Sequence, residues 1–154
     1  MSPTRKSKLF AKCLKEIHKI SKAKGAKLLR KEICRILKEN IPYYNWVGFY
    51  LSDGKESLIL DEYVGEPTIH TKIKYGVGIC GQVALTKKTL IVPDVAKEEN
   101  YLSCSIKVKS EIVVPIFKNG EFIGELDIDS HLLDAFSKED KEFLENICHI
   151  ISQH

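Results

Sequence analysis

Two runs, the largely apolar Glu111 to Phe117 and the alternating Phe122 to Ser130, flank the dipeptide Asn119-Gly120. Asn-Gly accepts the positive φ angles of a type I′ turn, whose twist matches the two strands it joins, so this segment reads as a hairpin. No other feature restricts the chain so much. A long hairpin with one aliphatic face must pair into an antiparallel sheet and bury that face against something else. The same grammar occurs earlier. Tyr43 to Ser52 is rich in aromatic and branched residues, Asp53-Gly54 follows, and Ser57 to Val64 returns. Ile69 to Tyr75 predicts a third strand, with Ile69, Thr71, Ile73 and Tyr75 on one face. Gly76 and Gly78 bracket a passage into a short helix over Ile79–Thr86, and Leu90–Val92 is a brief apolar stretch stopped by Pro93.

The period changes at both ends of the chain. Leu9, Phe10, Cys13, Leu14, Ile17 and Ile20 recur at helical spacing, Gly25 breaks the pattern, and Leu28, Leu29, Ile33, Ile36 and Leu37 form a second stripe that ends at Asn40-Ile41-Pro42. Ser137 with Asp140 forms a capping box for a last helix, striped by Phe143, Leu144, Ile147, Cys148 and Ile151. Residues 94–109 have no period and read as a long surface loop with room for one helical turn; such loops often carry function. The expectation is an α+β fold: a central, mostly antiparallel sheet, N- and C-terminal helices packed on one face, and a ligand pocket on the other. The length, 154 residues, suits one globular unit.

Charge is unevenly spread. Residues 1–40 carry 13 Lys or Arg against three Glu, while the remainder is acidic. Such asymmetry fits either a polyanion-binding arm or solvated helix faces packed on an acidic body. The basic residues alternate with apolar ones, and Phe10 is the single aromatic among them, so the second reading is favoured and nucleic acid is an unlikely partner. No apolar run is long enough to span a bilayer, and no secretory leader is recognisable. The five cysteines, Cys13, Cys34, Cys80, Cys104 and Cys148, therefore read as thiols of a cytoplasmic protein. Cys13, Cys34 and Cys148 lie on helix stripes and read as packing residues.

Three constellations carry chemistry. Trp46, Gly48 and Tyr50 share one strand face; with a glycine between them, two rings about 13 Å apart at strand rise fit either a core pair or the walls of a small-ligand site. Glu125, Asp127 and Asp129 alternate with Leu126 and Ile128, so three carboxylates line one face, with Glu111 entering the partner strand. They are either a solvated outer face or a ligand site in which crowding raises a carboxyl pKa and an ionised neighbour binds an ammonium. Cys80, at the mouth of the short helix where the helix N-terminus favours a thiolate, and Cys104, in the loop between two serines, are either ordinary thiols or a nucleophile with its resolving partner. The spacing matches no metal motif, and no metal or cofactor is assigned.

Five segments in order, Asn45-Trp46-Val47-Gly48-Phe49-Tyr50, Gly76-Val77-Gly78-Ile79-Cys80-Gly81, Val92-Pro93-Asp94-Val95, Ser110-Glu111-Ile112-Val113-Val114-Pro115 and Leu126-Asp127-Ile128-Asp129-Ser130, resemble free methionine-R-sulfoxide reductases, which are GAF-fold enzymes. The resemblance covers about residues 25 to 151. With the helical stripe before Gly25 read as a basic N-terminal helix over 1–24, it implies a GAF-like domain over 25–154 and reduction of free methionine-(R)-sulfoxide. It also implies a nucleophile at Cys104, which becomes a sulfenic acid, an aromatic wall for the methyl group at Trp46 and Tyr50, and acids at Glu111, Asp127 and Asp129 for the sulfoxide oxygen and ammonium. A thioredoxin-like dithiol reductant and a homodimer are further implications. The sequence departs from the family where a further cysteine precedes Cys80 by ten positions, here His70, and directly after the nucleophile, where Ser105 replaces Asp. Cys80 then becomes the expected resolving thiol. The competing expectation is a GAF binding or sensor module that keeps the pocket and has lost efficient chemistry.

Overall fold

Six strands, all antiparallel, form one sheet at the centre of the computed structural model, which describes residues 1–103 and 105–154. In chain order the elements are α1 (Pro3–Ser21), α2 (Ala26–Asn40), β1 (Trp46–Ser52), β2 (Ser57–Val64), β3 (Lys72–Lys74), α3 (Gly78–Thr86), β4 (Leu90–Val92), β5 (Ser110–Lys118), β6 (Glu121–Ser130) and α4 (Lys138–Ser152). The strand order is β3-β2-β1-β6-β5-β4. The hairpin that most constrains the sequence forms as expected: Asn119 and Gly120 take φ of 53° and 80°, and β5 and β6 pair from Ser110↔Ser130 to Lys118↔Glu121.

Alternation along the strands makes two cores. On one face Val47, Phe49, Ile112, Val114, Leu126 and Ile128 pack against α1, α2 and α4. Cys13, Cys34 and Cys148 belong to that core, as their stripe positions predict. Phe10 of α1 stacks on Phe143 of α4 with ring centroids 4.1 Å apart. Beneath the helices Asp140 is wholly buried. It closes the capping box at Ser137 and accepts hydrogen bonds from Lys6 Nζ (2.7 Å), Tyr43 Oη (2.7 Å) and Tyr44 Oη (2.9 Å). The basic first 40 residues turn inward in part. Arg30 and Lys27 pair with Asp61 at 2.6 and 3.2 Å, and Arg35 pairs with Glu32 and Glu39. The opposite sheet face is covered by α3, packed on β3, β5 and β6.

Two local expectations shift. Residues 43–45 precede β1 in a turn instead of extending it, with Tyr44 N–H donating to Ile41 O at 3.0 Å. The third strand is only Lys72–Lys74, and Ile69, expected on its buried face, is 88% exposed. The backbone there is occupied otherwise. Trp46 Nε1 donates to Glu66 O at 3.0 Å and Tyr50 Oη to His70 O at 2.8 Å, so acceptors that could pair with a neighbouring strand hold the two aromatic rings. Among the described residues no helix is long and apolar enough to cross a membrane.

Candidate functional site

Register brings the chemistry-bearing residues onto the face covered by α3. Across the β1–β6 ladder, Trp46 opposes Asp129, Gly48 opposes Asp127 and Tyr50 opposes Glu125. Across β5–β6, Glu111 opposes Asp129 and Val113 opposes Asp127. Directly opposed residues point the same way, so Trp46, Tyr50, Glu111, Glu125, Asp127 and Asp129 share one surface. That surface is not a solvated outer face. Glu111, Asp127 and Asp129 are 5%, 4% and 4% exposed, and Glu125 is wholly buried. The covering helix α3, Gly-Ile-Cys-Gly-Gln-Val-Ala-Leu-Thr, carries no charge and buries Gly78, Ile79, Cys80, Gly81, Val83 and Ala84, while Leu85 at its far end is exposed.

The aromatic pair differs from the slot anticipated between distant rings. Trp46 and Tyr50 have ring centroids 6.4 Å apart and stack at 28°. Gly48 permits this by having no side chain: a Cβ there would lie 2.6 Å from Trp46 Cζ3 and 2.8 Å from Tyr63 Cβ. The indole lies across the glycine, and Tyr63 stacks on its other side with centroids 5.4 Å apart. The two rings thus form a continuous wall rather than opposite jaws.

A narrow cavity of about 20 Å³ lies beside this wall and is lined by Tyr50, His70, Ile73, Cys80, Glu111 and Asp127 among others. Its rim is pinned by Asn100, whose side chain accepts from Gly78 N at 2.8 Å and donates to Gly76 O at 2.9 Å. His70 Nε2 lies 2.9 Å from Ser103 O. The loop over 94–109 is therefore tied to the cavity mouth, with a short 3-10 turn at Val95–Lys97. A second cavity opens on the far side of Trp46, between Glu66, Ser105, Val108 and Asp129.

Burial dominates the electrostatics. It pushes the carboxyl of Asp129 well above the ordinary range, and repulsion from Asp127 adds to this. Glu125 is raised in the same way, and Asp127 is raised despite hydrogen bonding with Glu111 and Cys80. Among the described residues, both oxygens of Glu125 and one each of Asp127 and Asp129 lack a hydrogen-bond partner. Cys80, third residue of α3, does not become the favoured thiolate expected of its helix position. Burial raises its pKa well above that of a free thiol, and the charges of Asp127, Glu125 and Glu111 raise it further, outweighing the helix terminus.

Six of the seven expected site residues, Trp46, Tyr50, Cys80, Glu111, Asp127 and Asp129, thus meet around one buried surface. Cys104, the expected nucleophile, lies outside the described residues. Glu125, one of the three carboxylates that alternation places on this face, is the most deeply buried of them, a depth that alternation alone does not reveal. His70 was marked as a departure from a family pattern, and nothing local signals that its ring lines the cavity.

Comparison with known proteins gives the family and the fold. The GAF domain family model matches residues 8–154, α1 included from its second turn. The free methionine-R-sulfoxide reductase of Saccharomyces cerevisiae is 43% identical over 112 residues, 71% of this chain and 62% of that protein. The structure of free methionine-R-sulfoxide reductase from Neisseria meningitidis in complex with its substrate superposes with a TM-score of 0.89 at 32% identity, covering 94% of this chain and 86% of that one. The type II free methionine-R-sulfoxide reductase from Thermoplasma acidophilum gives 0.79 at 41% identity, covering 83% and 90%.

Proposed function

Because the chain belongs to the GAF-domain family of free methionine-R-sulfoxide reductases, we propose that it reduces free methionine-(R)-sulfoxide to methionine at the expense of a thiol reductant. The observation that carries this reading is the meeting of buried acids Glu111, Asp127 and Asp129 with the stacked Trp46–Tyr50 wall beside a thiol-lined cavity. A small zwitterion with a sulfoxide suits such a place. Its ammonium satisfies an ionised carboxylate, its oxygen accepts a hydrogen bond from a protonated one, and its methyl group rests against the rings. Crowding of buried acids supports this division of labour, since neighbouring carboxyls do not all ionise.

The chemistry follows in two steps. Cys104 as thiolate attacks the sulfoxide sulfur, a carboxyl of the acid cluster protonates the sulfoxide oxygen, and that oxygen passes to the Cys104 sulfur as its bond to the methionine sulfur breaks. The sulfoxide is reduced by two electrons to methionine, and Cys104 becomes a sulfenic acid. Cys80 then gives its proton to the carboxylate left by the first step and attacks the sulfenic sulfur, water leaves, and a Cys80–Cys104 disulfide forms. A thioredoxin-type dithiol reduces it. His70, at the position of the family's other cysteine, cannot resolve the intermediate, which leaves that task to Cys80. A thiol cycle of this kind belongs in a reducing compartment, so the proposed location is cytoplasmic. The family likeness extends the proposal to a homodimer.

The test is methionine production from free methionine-(R)-sulfoxide with a dithiol, followed by mass mapping of the turned-over protein before reduction. Wild type is expected to turn over and to yield the Cys80–Cys104 disulfide; Cys104→Ser is expected to retain less than about a thousandth of the rate. Saturable binding without turnover contradicts the enzyme reading and restores that of a binding module. Full activity in Cys104→Ser contradicts the nucleophile assignment.

A further inference from the structure

We propose that the acid cluster also binds a divalent cation of borderline softness, Zn²⁺ in chemical class, through Cys80 Sγ and the carboxylates of Glu111 and Asp127, with the neighbouring carboxyl of Glu125 adding its charge. The inference concerns the same site and rests on the proposed function only for its consequence, since the ligand set is defined by geometry. Ligand atoms of Cys80, Glu111 and Asp127 all lie within 4.8 Å of one another, and all three residues are buried. Tetrahedral zinc holds a thiolate at about 2.3 Å and carboxylate oxygens at about 2.1 Å, which puts ligand atoms roughly 3.5 Å apart. Side-chain rotations that contract the group by about 1 Å reach that geometry.

Acidic residues alone make no site, and Glu125 supplies the independent observation. It is wholly buried, its two oxygens have no hydrogen-bond partner among the described residues, and it stands one pleat from Asp127 on the same face of β6. Its carboxyl is close enough to the Cys80 thiol for the two groups to perturb each other. A buried carboxyl without partners is costly. A cation satisfies it and its neighbours together. The donor set disfavours the hard ions: Mg²⁺ and Ca²⁺ require six or more oxygens, whereas one sulfur with two carboxylates and a water in the fourth position suits zinc.

Binding displaces the thiol proton: Cys80–SH and Zn²⁺ give a zinc thiolate and H⁺, with no change of oxidation state. Glu111 and Asp127 are then engaged by the ion, so the substrate's ammonium cannot use them. Zinc and free methionine sulfoxide compete. Zinc also holds Cys80, the thiol assigned to resolve the sulfenic acid. The site is thus a metal-sensitive brake on the thiol cycle.

Calorimetric titration of the reduced full-length protein with zinc sulfate tests this directly, without turnover. One ion per chain is expected, with a proton released, read by repeating the titration in buffers of different ionisation enthalpy. In Cys104→Ser, which cannot turn the sulfoxide over, saturating free methionine sulfoxide is expected to weaken apparent affinity at least tenfold. Glu125→Gln, close to isosteric, and Cys80→Ser should each weaken zinc binding at least tenfold, while Cys104→Ser should leave it intact. Cobalt(II) gives a second readout, a thiolate charge-transfer band in the near ultraviolet that Cys80→Ser removes. Absence of stoichiometric binding, binding unchanged in both Glu125→Gln and Cys80→Ser, or binding lost only with Cys104 overturns the proposal. Zinc binding in a protein that does not reduce the sulfoxide overturns the proposed function and leaves the metal site standing.

Discussion

Gly48 shows how much one absent side chain can decide. The indole of Trp46 occupies the space over it, and that position stacks the ring on Tyr50 and Tyr63. An alanine methyl must push the indole or the backbone of β2 aside. Overpacking of this kind costs about 1–3 kcal/mol, and here it falls on the wall assigned to the substrate methyl. Gly48→Ala is expected to raise KM for the sulfoxide about tenfold in steady-state kinetics, 1.4 kcal/mol corresponding to a factor of ten; an unchanged KM contradicts the role of the wall. Asp140 is the second decisive residue. Burial alone would raise its carboxyl, but bonds from Lys6, Tyr43 and Ser137 outweigh it and hold the pKa below the ordinary value. Asp140→Asn leaves Lys6 facing a neutral amide and is expected to cost about 3 kcal/mol in urea unfolding. The sign of the pH effect follows from the lowered pKa. The unfolded state binds the proton more readily, so this stabilisation is complete above the ordinary Asp value, near pH 4, and drains as pH falls through the folded value. Wild-type stability should therefore decline more steeply in acid than that of Asp140→Asn.

At the scale of elements, β6 places aliphatic residues on the helical core and carboxylates on the cavity face, so one strand serves stability and chemistry by alternation. This was legible in the sequence because Asn119-Gly120 fixes the register of the hairpin, and register fixes the faces. The depth of the acid face was not legible from the strand itself. It depends on α3, whose lack of charge was the available signal. The third strand was misjudged in length because its residues alternate correctly, while the side chains of Trp46 and Tyr50, from another strand, claim the backbone acceptors at Glu66 and His70. α1 matters for a different reason. Phe10, Cys13 and Ile17 are buried in the main core, and Phe10 stacks on α4. Phe10→Ala is expected to cost about 3–5 kcal/mol in chemical denaturation. A loss under about 1 kcal/mol would show that α1 is an appendage rather than a wall of the core.

Across the whole molecule the uneven charge finds part of its explanation in pairing. Lys6, Lys27 and Arg30, from the basic first 40 residues, meet Asp140 and Asp61 of the acidic remainder, and Arg35 meets acids of its own helices. The two halves of the sequence close on one sheet whose helical face holds three structural thiols and whose other face holds Cys80 among carboxylates. The division of cysteines was visible from stripe positions. The pairing of Cys80 with Cys104 remains a proposal of the family likeness, since Cys104 lies outside the described residues. The account's central claim is stereospecific, thiol-driven reduction at this site. Its most direct measurement is a progress curve on racemic free methionine sulfoxide with excess dithiol, both epimers followed by chiral chromatography. The account predicts that the R epimer is consumed to completion and appears as methionine, while the S epimer remains untouched, so conversion stops at half. Equal consumption of both epimers, or no consumption of either by the folded, reduced protein, would contradict it.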